Sequence, residues 1–545
     1  MLSDLRHALR AFMRAPGFTA AAVLSLAIGI GANTAIFSVV HAVLLRPLPY
    51  TNADRLTILW NRSPGLDIAE DWFSTAQYFD IRNSHSGFET LAIALGANYN
   101  LTDPGTEPER VGAIRVSSNL LTMLGARPAL GRLFASTDDA PGGPPVAILS
   151  HGLWARRYGS DEHILSRNIT LNGQSFAVVG VLAEGFSLPR EVLPTLGVAE
   201  DGQILLPLPL AANAASVRTR EDYNIMGTLK PGVTVAAAQT EMDALTSRLR
   251  RDFPDVYPPN GGLTFSIVPI QQQVAGKIAR PLLVLLGAVA FVLLIACVNV
   301  ANLLLSRAMA RQREMAVRAA LGAGRARIVQ QLFTEGLALA MAGAVVGLAL
   351  AGAALQWIHA RPPKDLPRLG DIAINGRVLL FTLAVSVVAA VIFSVAPALS
   401  AGRLDVHGTL KDTGRGASGA GSLWSRRFSL RRWLVAGELA LAVVLLIGAG
   451  LLIRSFAQLQ RVPPGFNPRG VLTLELTLTG AKYKDGPAVM DGYRRLWERL
   501  DAIPGVRASG GVTSLPMSGF FAWGPVTVEG RVAPAGEKFI NADQR

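Results

Sequence analysis

The sequence has little of what secreted or metal-dependent proteins normally carry. It has one cysteine, Cys297, among 545 residues, so no disulfide can form within the chain. The seven histidines are scattered, and neither a CxxC nor an HExxH sequence occurs, so no metal site is expected. Charged residues make up 17% of the chain, against about 25% in soluble proteins. The composition indicates a membrane protein in which Cys297 is a small buried apolar residue.

Signatures of nucleotide binding and of acid–base catalysis are also missing. No GxxxxGK[ST] occurs, and the G-x-G of GIGANTA (29–35) lies inside an apolar run rather than between a strand and a helix. We therefore expect no bound cofactor, and no ATP hydrolysis by this chain itself. The acidic residues Asp138, Asp139, Glu107 and Glu109 lie in turn-rich contexts and are interpreted as solvated surface.

Five apolar runs are long enough to cross a bilayer, which takes about 20 residues. The first follows a basic start but is longer than the core of a signal peptide, so we interpret it as an uncleaved anchor. The predicted spans are residues 18–45, 281–305, 328–358, 377–400 and 433–454.

Loop charges predict the orientation. Residues 1–17 carry three Arg and one Asp, residues 306–332 six Arg and one Glu, and residues 401–432 six Arg and one Lys against two Asp. Residues 51–275 instead carry 17 basic and 23 acidic residues. Because basic loops stay inside the cell, the N-terminus is predicted to be cytoplasmic and the acidic segment extracytoplasmic, with the spans in the cell (inner) membrane. This distribution also argues against nucleic acid as a partner, although the net charge is +13.

The acidic segment is predicted to be an α+β domain of two lobes. LTILW (56–60) and VAILS (146–150) are typical of strands, and residues 169–182 of a hairpin turned at Asn172-Gly173. Residues 233–253 have helical spacing and follow a further strand-like run.

A similar order of elements begins again near the end of the sequence. RRFSLRRWL precedes the fifth span, as LRHALRAF precedes the first, and the Gly/Ser-rich residues 411–427 are typical of a linker. Beyond that span, strands are predicted at 470–478 and 506–515 and a helix at 488–503. The repeat predicts the start of a second copy, so the sequence is expected to be a fragment of a longer chain.

The predicted organisation combines these segments. In chain order it is a cytoplasmic N-terminus (1–17), span 1 (18–45), an extracytoplasmic core domain (46–280), span 2 (281–305), a cytoplasmic connector (306–327), span 3 (328–358), a short external loop (359–376), span 4 (377–400), a cytoplasmic linker (401–432), span 5 (433–454) and a partial second extracytoplasmic domain (455–545).

The connector between spans 2 and 3 has the pattern of a short docking helix. Glu314 and Arg318 are spaced i, i+4 and can pair on one face, beside a small apolar patch that includes Met315, Val317 and Leu321. The glycines of Gly322-Ala323-Gly324 then favour a helix stop. The alternative is that the arginines only anchor the loop on the cytoplasmic side, which leaves the glutamate, the patch and the glycines unexplained.

A few polar residues fall within the predicted spans. Asn299 and Asn302, spaced i, i+3, are predicted to form hydrogen bonds between helices rather than to line a pore. Glu335 and Glu438 lie close to basic segments and are predicted to pair with cations there; for Glu335 these are Arg325, Arg327 or headgroups. The glycines of span 3, Gly343, Gly347 and Gly352, are expected to allow close helix packing.

Three stretches resemble one known family. RQREMAVRAALGAGRARIVQQLFTEGLALAMAGAVVGLALA (311–351) is similar to the core signature of MacB/FtsX-like permeases of ABC transport systems. HGLWARRYGSDEHILSRNITLNGQSFAVVGVL (151–182) resembles the family's periplasmic core domain. PGFTAAAVLSLAIGIGANTAIFSVVHAVLLRPLPY (16–50) resembles the first span of its duplicated, acidobacterial-type orphan subgroup.

The resemblance implies a multi-span helical permease that works with separate cytoplasmic ABC ATPase subunits, which bind the ATP. It also implies efflux as the process, with a periplasmic adaptor and an outer-membrane channel as further partners. The residues then expected to couple to the ATPase are Arg313, Glu314, Met315, Val317, Arg318, Leu321, Gly322 and Gly324. Two alternatives stay open: a mechanotransmitter that regulates an external partner such as a cell-wall enzyme, and a membrane-anchored sensor or adhesion protein.

Overall fold

The structure, a computed structural model, divides into two compact units. The helical unit comprises Met1–Arg46 and Ala275–Val462, and the sheet unit comprises Pro47–Val274 and Pro463–Arg545. The residues that the structure describes are 10, 12–84, 87–103, 107–196, 202–310, 325–361, 363, 367–401, 421–467, 469–474, 476–478, 482–483, 485–512, 522–526 and 540–544.

The elements alternate between the two units along the chain. The helices are α1 Pro16–Val40, α2 Thr75–Ser84, α3 Asn119–Met123, α4 His151–Tyr158, α5 Val235–Asp252, α6 Ile270–Ala310, α7 Arg325–Ala360, α8 Gly376–Ala401, α9 Gly421–Gln460 and α10 Gly486–Asp501. The strands are β1 Leu56–Ser63, β2 Ile68–Asp71, β3 Phe88–Leu101, β4 Glu109–Val116, β5 Pro128–Gly131, β6 Val146–Leu149, β7 Asn168–Leu171, β8 Gln174–Leu182, β9 Ile204–Pro207, β10 Asn224–Leu229, β11 Thr264–Pro269, β12 Ala522–Val526 and β13 Ile540–Gln544.

Five described helical stretches are long and apolar enough to cross a membrane. They are Pro16–Leu45, Ile270–Arg307, Val329–Ala360, Gly376–Val395 and Arg432–Gln460. The predicted fold class, a multi-span helical membrane protein with an α+β domain, is therefore confirmed.

The first four of these helices share one apolar core. Leu26, Cys297, Leu339 and Phe393, one from each of α1, α6, α7 and α8, are fully buried in it. Cys297 is a buried free thiol, as predicted. The fifth helix, α9, differs: none of the residues in its most apolar stretch is buried within the structure. In a bilayer that stretch would contact lipid or another protein.

The sheet unit is built on one mixed sheet of eleven strands. Its order is β11-β1-β10-β3-β4-β9-β6-β8-β5, with β2 beside β1, and β7 beside β3 and β8. Most neighbouring strands are antiparallel, while the pairs β4–β9 and β6–β8 are parallel. Ladder hydrogen bonds connect all eleven strands in one sheet, and the division of this domain into two lobes stays a prediction.

Separate hydrophobic clusters nevertheless cover different parts of that sheet. One cluster includes Phe73 and Phe265, whose rings meet edge-to-face at 5.0 Å, and it is covered by α2 and α5. Another surrounds Trp154 of α4 and includes β6 and β8. Burial of these aromatic side chains is the main force that holds the helices on the sheet.

Local sequence explains several element ends. Asn172 and Gly173 both have positive φ, 51° and 79°, which the predicted two-residue hairpin turn between β7 and β8 requires. The Thr234 hydroxyl accepts a hydrogen bond from the Ala237 N–H and so caps α5. Ser150 caps α4 in the same way, and Gly159 ends that helix with a φ of 59°.

The C-terminal segment is less complete than predicted. The helix predicted at 488–503 is observed as α10, capped by Asp485. The strands predicted at 470–478 and 506–515 are not formed in the described parts of those ranges. A strand needs a hydrogen-bonded neighbour, and none pairs with these segments among the described residues.

Candidate functional site

The residues predicted to couple to an ATPase lie outside the described part of the chain. They are Arg313, Glu314, Met315, Val317, Arg318, Leu321, Gly322 and Gly324. The connector that carries them joins two described helices, since α6 ends at Ala310 and α7 begins at Arg325. Near this end of α6, the Arg307 guanidinium lies 4.8 Å from the centre of the Phe18 ring on α1. This cation–π contact links α6 to α1 beside the connector.

Two of the predicted intramembrane polar residues lie on α6. Asn299 and Asn302 are both half-buried. The Oδ1 of Asn302 is buried and has no hydrogen-bond partner among the described residues. The hydrogen bonds between helices predicted for Asn299 and Asn302 stay a prediction.

The two intramembrane acids have different surroundings. Glu335 on α7 is only 5% exposed, and its Oε1 accepts a hydrogen bond of 3.2 Å from the Gln331 Nε2. The side chains of its predicted partners, Arg325 and Arg327, lie outside the described structure. Glu438 is half-buried on α9, the helix that has no buried core.

Glycines bring α1 and α7 into close contact. A Cβ added at Gly31 would lie 2.7 Å from the carbonyl oxygen of Gly347, and one added at Gly343 would lie 2.7 Å from the Leu26 Cβ. Close packing was predicted for the span 3 glycines, and it is observed for Gly343 and Gly347. Gly352 is different, because its nearest neighbour would be an ordinary contact at 3.9 Å. The backbones of α1 and α7 therefore touch where side chains would hold them apart.

Buried hydroxyl and amide groups near this contact were not singled out from the sequence. Thr34 of α1 and Thr382 of α8 place their hydroxyl oxygens 3.0 Å apart. Asn33 Nδ2 donates to the carbonyl oxygens of Gly29 and of Val289 on α6, both at 2.8 Å. These bonds join α1 to α6 and α8, and no spacing rule within one helix predicts such partners.

A clamp of charged residues lies where α1 ends. The Asp371 carboxylate accepts hydrogen bonds from Arg46 at 3.0 Å and from Arg368 at 2.9 Å. Arg368 also donates to the carbonyl oxygen of Arg46 at 2.6 Å. A ring nitrogen of His359, at the end of α7, lies 3.2 Å from the carbonyl oxygen of Leu369. The loop between α7 and α8 is thus bonded to the ends of both α1 and α7.

The sheet unit holds a buried carboxyl group, that of Glu221, whose pKa is raised. The Glu221 Oε1 accepts hydrogen bonds of 2.9 Å from Asn61 Nδ2 and from Gln77 Nε2. Burial, with the charge of Asp71 as a further cause, raises the pKa of Glu221 to about 8. Burial also raises the pKa of Asp71 to about 6. Among the described residues, no three His, Cys, Asp or Glu side chains are grouped as a metal site would require.

Two acids interpreted as solvated surface are ion-paired instead. Asp138 is only 2% exposed and binds Arg132 at 2.6 Å, and the hydrogen bond from that guanidinium lowers the pKa of Asp138. Glu109 is bound by Arg156 and Arg157. The surface interpretation is therefore wrong for Asp138, which is buried beside Arg132. Glu109 remains partly exposed, but it is paired with two arginines that are distant in sequence. Glu107 is exposed, as expected.

Two family models match the chain and together span both units. The MacB-like periplasmic core domain matches residues 19–245, and the FtsX-like permease C-terminal domain matches residues 286–406. The first includes α1 and most of the sheet, and the second includes most of α6 with α7 and α8.

Characterised relatives carry the names of exporters. The chain is 29% identical over 294 residues to the pyoverdine export ATP-binding/permease protein PvdT of Pseudomonas entomophila, covering 50% of this chain and 39% of that protein. It is 23% identical over 411 residues to the macrolide export ATP-binding/permease protein MacB of Campylobacter jejuni, covering 74% of this chain and 59% of MacB. The chain thus spans less than two thirds of the length of each of these relatives.

Solved structures also match part of the chain. The periplasmic region of MacB from Actinobacillus actinomycetemcomitans aligns with 42% of this chain and 92% of its own, at 14% identity and a TM-score of 0.30. A domain of a permease protein from Porphyromonas gingivalis aligns with 41% of this chain and 92% of its own, at 18% identity and a TM-score of 0.32.

Proposed function

The chain belongs to the MacB/FtsX-like family of ABC permeases, and from this premise we propose that it relays motion from a cytoplasmic ATPase to its extracytoplasmic domain for export. The ATPase is a separate subunit and supplies the nucleotide-binding motif that this sequence lacks. The two family models and the exporter names of the relatives support the proposal.

The proposed topology places the connector where such an ATPase can bind it. Residues 306–332 carry six Arg and one Glu, as expected of a loop on the inner face of the cell membrane. The N-terminus lies on the same side, and the sheet unit lies on the other. The coupling residues are then Glu314, Arg318 and their neighbours on the connector.

The observation that carries the relay is the contact path from α7 to the end of α1. α7 is a continuous helix of 36 residues, which at about 1.5 Å per residue is longer than the roughly 30 Å hydrocarbon core. It touches α1 at Gly31 and Gly347, and its far end meets the loop that holds Arg46 through Asp371. Arg46 is covalently followed by Pro47, the first residue of the sheet unit.

This arrangement favours transfer of a displacement along packed helices. Cores and helix contacts at this density resist deformation, so a shift of α7 at the connector should also shift its outer end. The coupling is allosteric and needs two states that differ in contacts at both ends. In the proposed mechanism, those states are the nucleotide-bound and nucleotide-free ATPase.

Three variants and one control separate docking from relay. With Glu314→Lys or Leu321→Asp in the connector, the co-purified ATPase should be lost, whereas Arg403→Glu in the loop after α8 should retain it. With Asp371→Asn, the ATPase should stay bound while substrate no longer stimulates ATP hydrolysis in reconstituted vesicles. Retained ATPase in both connector variants would contradict the coupling assignment, and unchanged stimulation in Asp371→Asn would contradict the path through the clamp.

The names of the relatives indicate which classes of substrate to test. A test panel should include pyoverdine and a macrolide, which the names of PvdT and MacB specify for those proteins. Stimulation of ATP hydrolysis by any solute supports export, with a periplasmic adaptor and an outer-membrane channel as proposed partners.

The second candidate function is that of a mechanotransmitter, which regulates an external partner such as a cell-wall enzyme. It is favoured by the buried hydroxyls of Thr34, Ser38 and Ser386, which bond to carbonyls of their own helices rather than facing a water path.

A further inference from the structure

The sheet unit contains an open polar cleft of about 520 Å³. Sites for small ligands typically measure about 300–1,000 Å³, so this cleft has room for one. Its walls are α2, the first residues of β3 and the turn from β4 into α3, together with the loop that carries Asp139. The polar lining residues that matter below are Tyr78, Arg82, Glu89, Ser117, Asn119 and Asp139.

One wall of the cleft is held in place by internal hydrogen bonds. The Ser117 Oγ accepts from the Ile93 N–H at 3.1 Å and donates to the Asn119 Oδ1 at 2.7 Å. The Asn119 Nδ2 in turn donates to the Leu91 carbonyl oxygen at 2.8 Å. These bonds join β3 to the start of α3, so the wall is formed before any ligand arrives.

Asp139 presents a carboxylate to the cleft from an anchored loop. Its Oδ2 accepts a hydrogen bond of 2.7 Å from the Ser118 N–H. The preceding residue, Asp138, is buried and bound to Arg132 at 2.6 Å, which fixes the loop. No described Lys, Arg or His forms an ion pair with Asp139, so its negative charge remains available.

Arg82, which lies on α2, places a positive charge in the cleft. It is exposed, and no described carboxylate forms an ion pair with it. It lies one turn after Tyr78, beside the hydroxyl of that residue. Burial raises the pKa of Tyr78, so this hydroxyl keeps its proton and can donate a hydrogen bond. The third charge of the cleft, Glu89, is bound by Arg55 at 2.7 Å and is thereby neutralised.

The cleft therefore contains one cationic and one anionic side chain that form no ion pair with other described residues, beside a wall held by internal hydrogen bonds. We propose that it binds a small zwitterionic ligand, a short peptide with free termini, whose carboxylate meets Arg82 and whose ammonium group meets Asp139. A purely anionic ligand would face the repulsion of Asp139, and a purely cationic one that of Arg82. Hydrogen bonds between charged partners are the strong ones, which favours a ligand with both charges. This inference does not depend on the relay, because binding needs no ATPase.

The test uses the full chain in detergent and isothermal titration calorimetry with trialanine. Trialanine should bind saturably, while its N-acetylated and C-amidated forms should each bind about 10-fold or more weakly, because each lacks one charge. Arg82→Gln should remove the preference for a free carboxylate only, and Asp139→Asn the preference for a free amine only. Both replacements retain hydrogen-bonding groups, so the fold should survive.

Arg251→Ala, an exposed arginine of the same unit outside the cleft, is the matched control and should bind as the parent does. No saturation by about 10 mM trialanine would overturn the proposal. So would equal binding of the blocked and free peptides, or a loss of binding in Arg251→Ala as large as in Arg82→Gln. A requirement for only one of the two termini would overturn the zwitterion assignment.

Discussion

Buried hydroxyl groups of the helical unit and buried charged groups of the sheet unit find their partners by different means. In the helical unit, the buried hydroxyls of Thr34 and Ser386 donate to backbone carbonyl oxygens four residues earlier in their own helices, and no charge is involved. In the sheet unit, a buried charged group is paired with charges of the opposite sign: the Arg157 side chain is 9% exposed and binds Asp103 and Glu109. The difference follows the surroundings: in lipid, polar groups must be satisfied within the protein, whereas a water-exposed domain can hold ion pairs at the edge of its core.

The largest loss of stability is expected when a buried charge is removed from the sheet unit. Arg157→Ala leaves Asp103 and Glu109 without their shared arginine, and breaking a buried pair this way costs about 3–5 kcal/mol of unfolding free energy. Arg167→Ala is the control: this arginine is 60% exposed in its pair with Asp161, so the loss should stay below about 1 kcal/mol. Thermal unfolding in detergent measures both. Equal losses would contradict the view that the sheet unit depends on buried charges.

The next largest effect is a dependence of the sheet unit's stability on pH. Glu221 has a pKa raised from 4.5 to about 8 by burial and by the charge of Asp71. Between pH 4.5 and about 8, the folded state therefore binds a proton that the unfolded chain has lost. The free energy of unfolding is highest below pH 4.5 and falls as the pH rises to about 8. We expect a decrease of several kcal/mol over that range, because each unit of difference in pKa corresponds to about 1.4 kcal/mol.

Glu221→Gln removes the titrating group and should flatten most of this slope. Glu162→Gln, at an exposed position, should leave it intact. Unfolding curves recorded between pH 5 and pH 9 measure the slope for each variant. A slope that persists in Glu221→Gln would show that another group is responsible.

The smallest effect concerns helix packing. Gly31→Val places side-chain atoms against the backbone of Gly347, where even a Cβ would lie 2.7 Å from the carbonyl oxygen. Overpacking of this kind costs about 1–3 kcal/mol. Gly448→Val in α9 is the matched control, because nothing lies within 4 Å of the added Cβ, so melting in detergent should change little. A loss at Gly448 equal to that at Gly31 would contradict the contrast between α9 and the four packed helices.

Much of the local structure could be predicted from the sequence. The apolar runs indicate the spans by length alone, Asn172-Gly173 specifies a hairpin turn, and residues 233–253 show a helical period that α5 follows. Each of these signals is contained in a short stretch of sequence, where residue spacing and residue type determine the local structure.

The contacts between distant segments could not be predicted. Gly31 meets Gly347, and Glu221 takes hydrogen bonds from Asn61 and Gln77, on other elements. Glu109 at the start of β4 is paired with Arg156 and Arg157 of α4. Which partners meet depends on the fold as a whole, and nothing in the residues around each position encodes it.

The central claim is that the connector after α6 faces the cell interior, where an ATPase binds it. A direct test introduces one cysteine at Ala319 in a Cys297→Ser background and labels intact cells with a thiol reagent that cannot cross the inner membrane. Ala212→Cys, at an exposed position of the sheet unit, serves as the external control. The account predicts labelling at position 212 in intact cells, and labelling at position 319 only after the membrane is opened. Labelling of position 319 in intact cells would contradict the topology and, with it, the proposed relay.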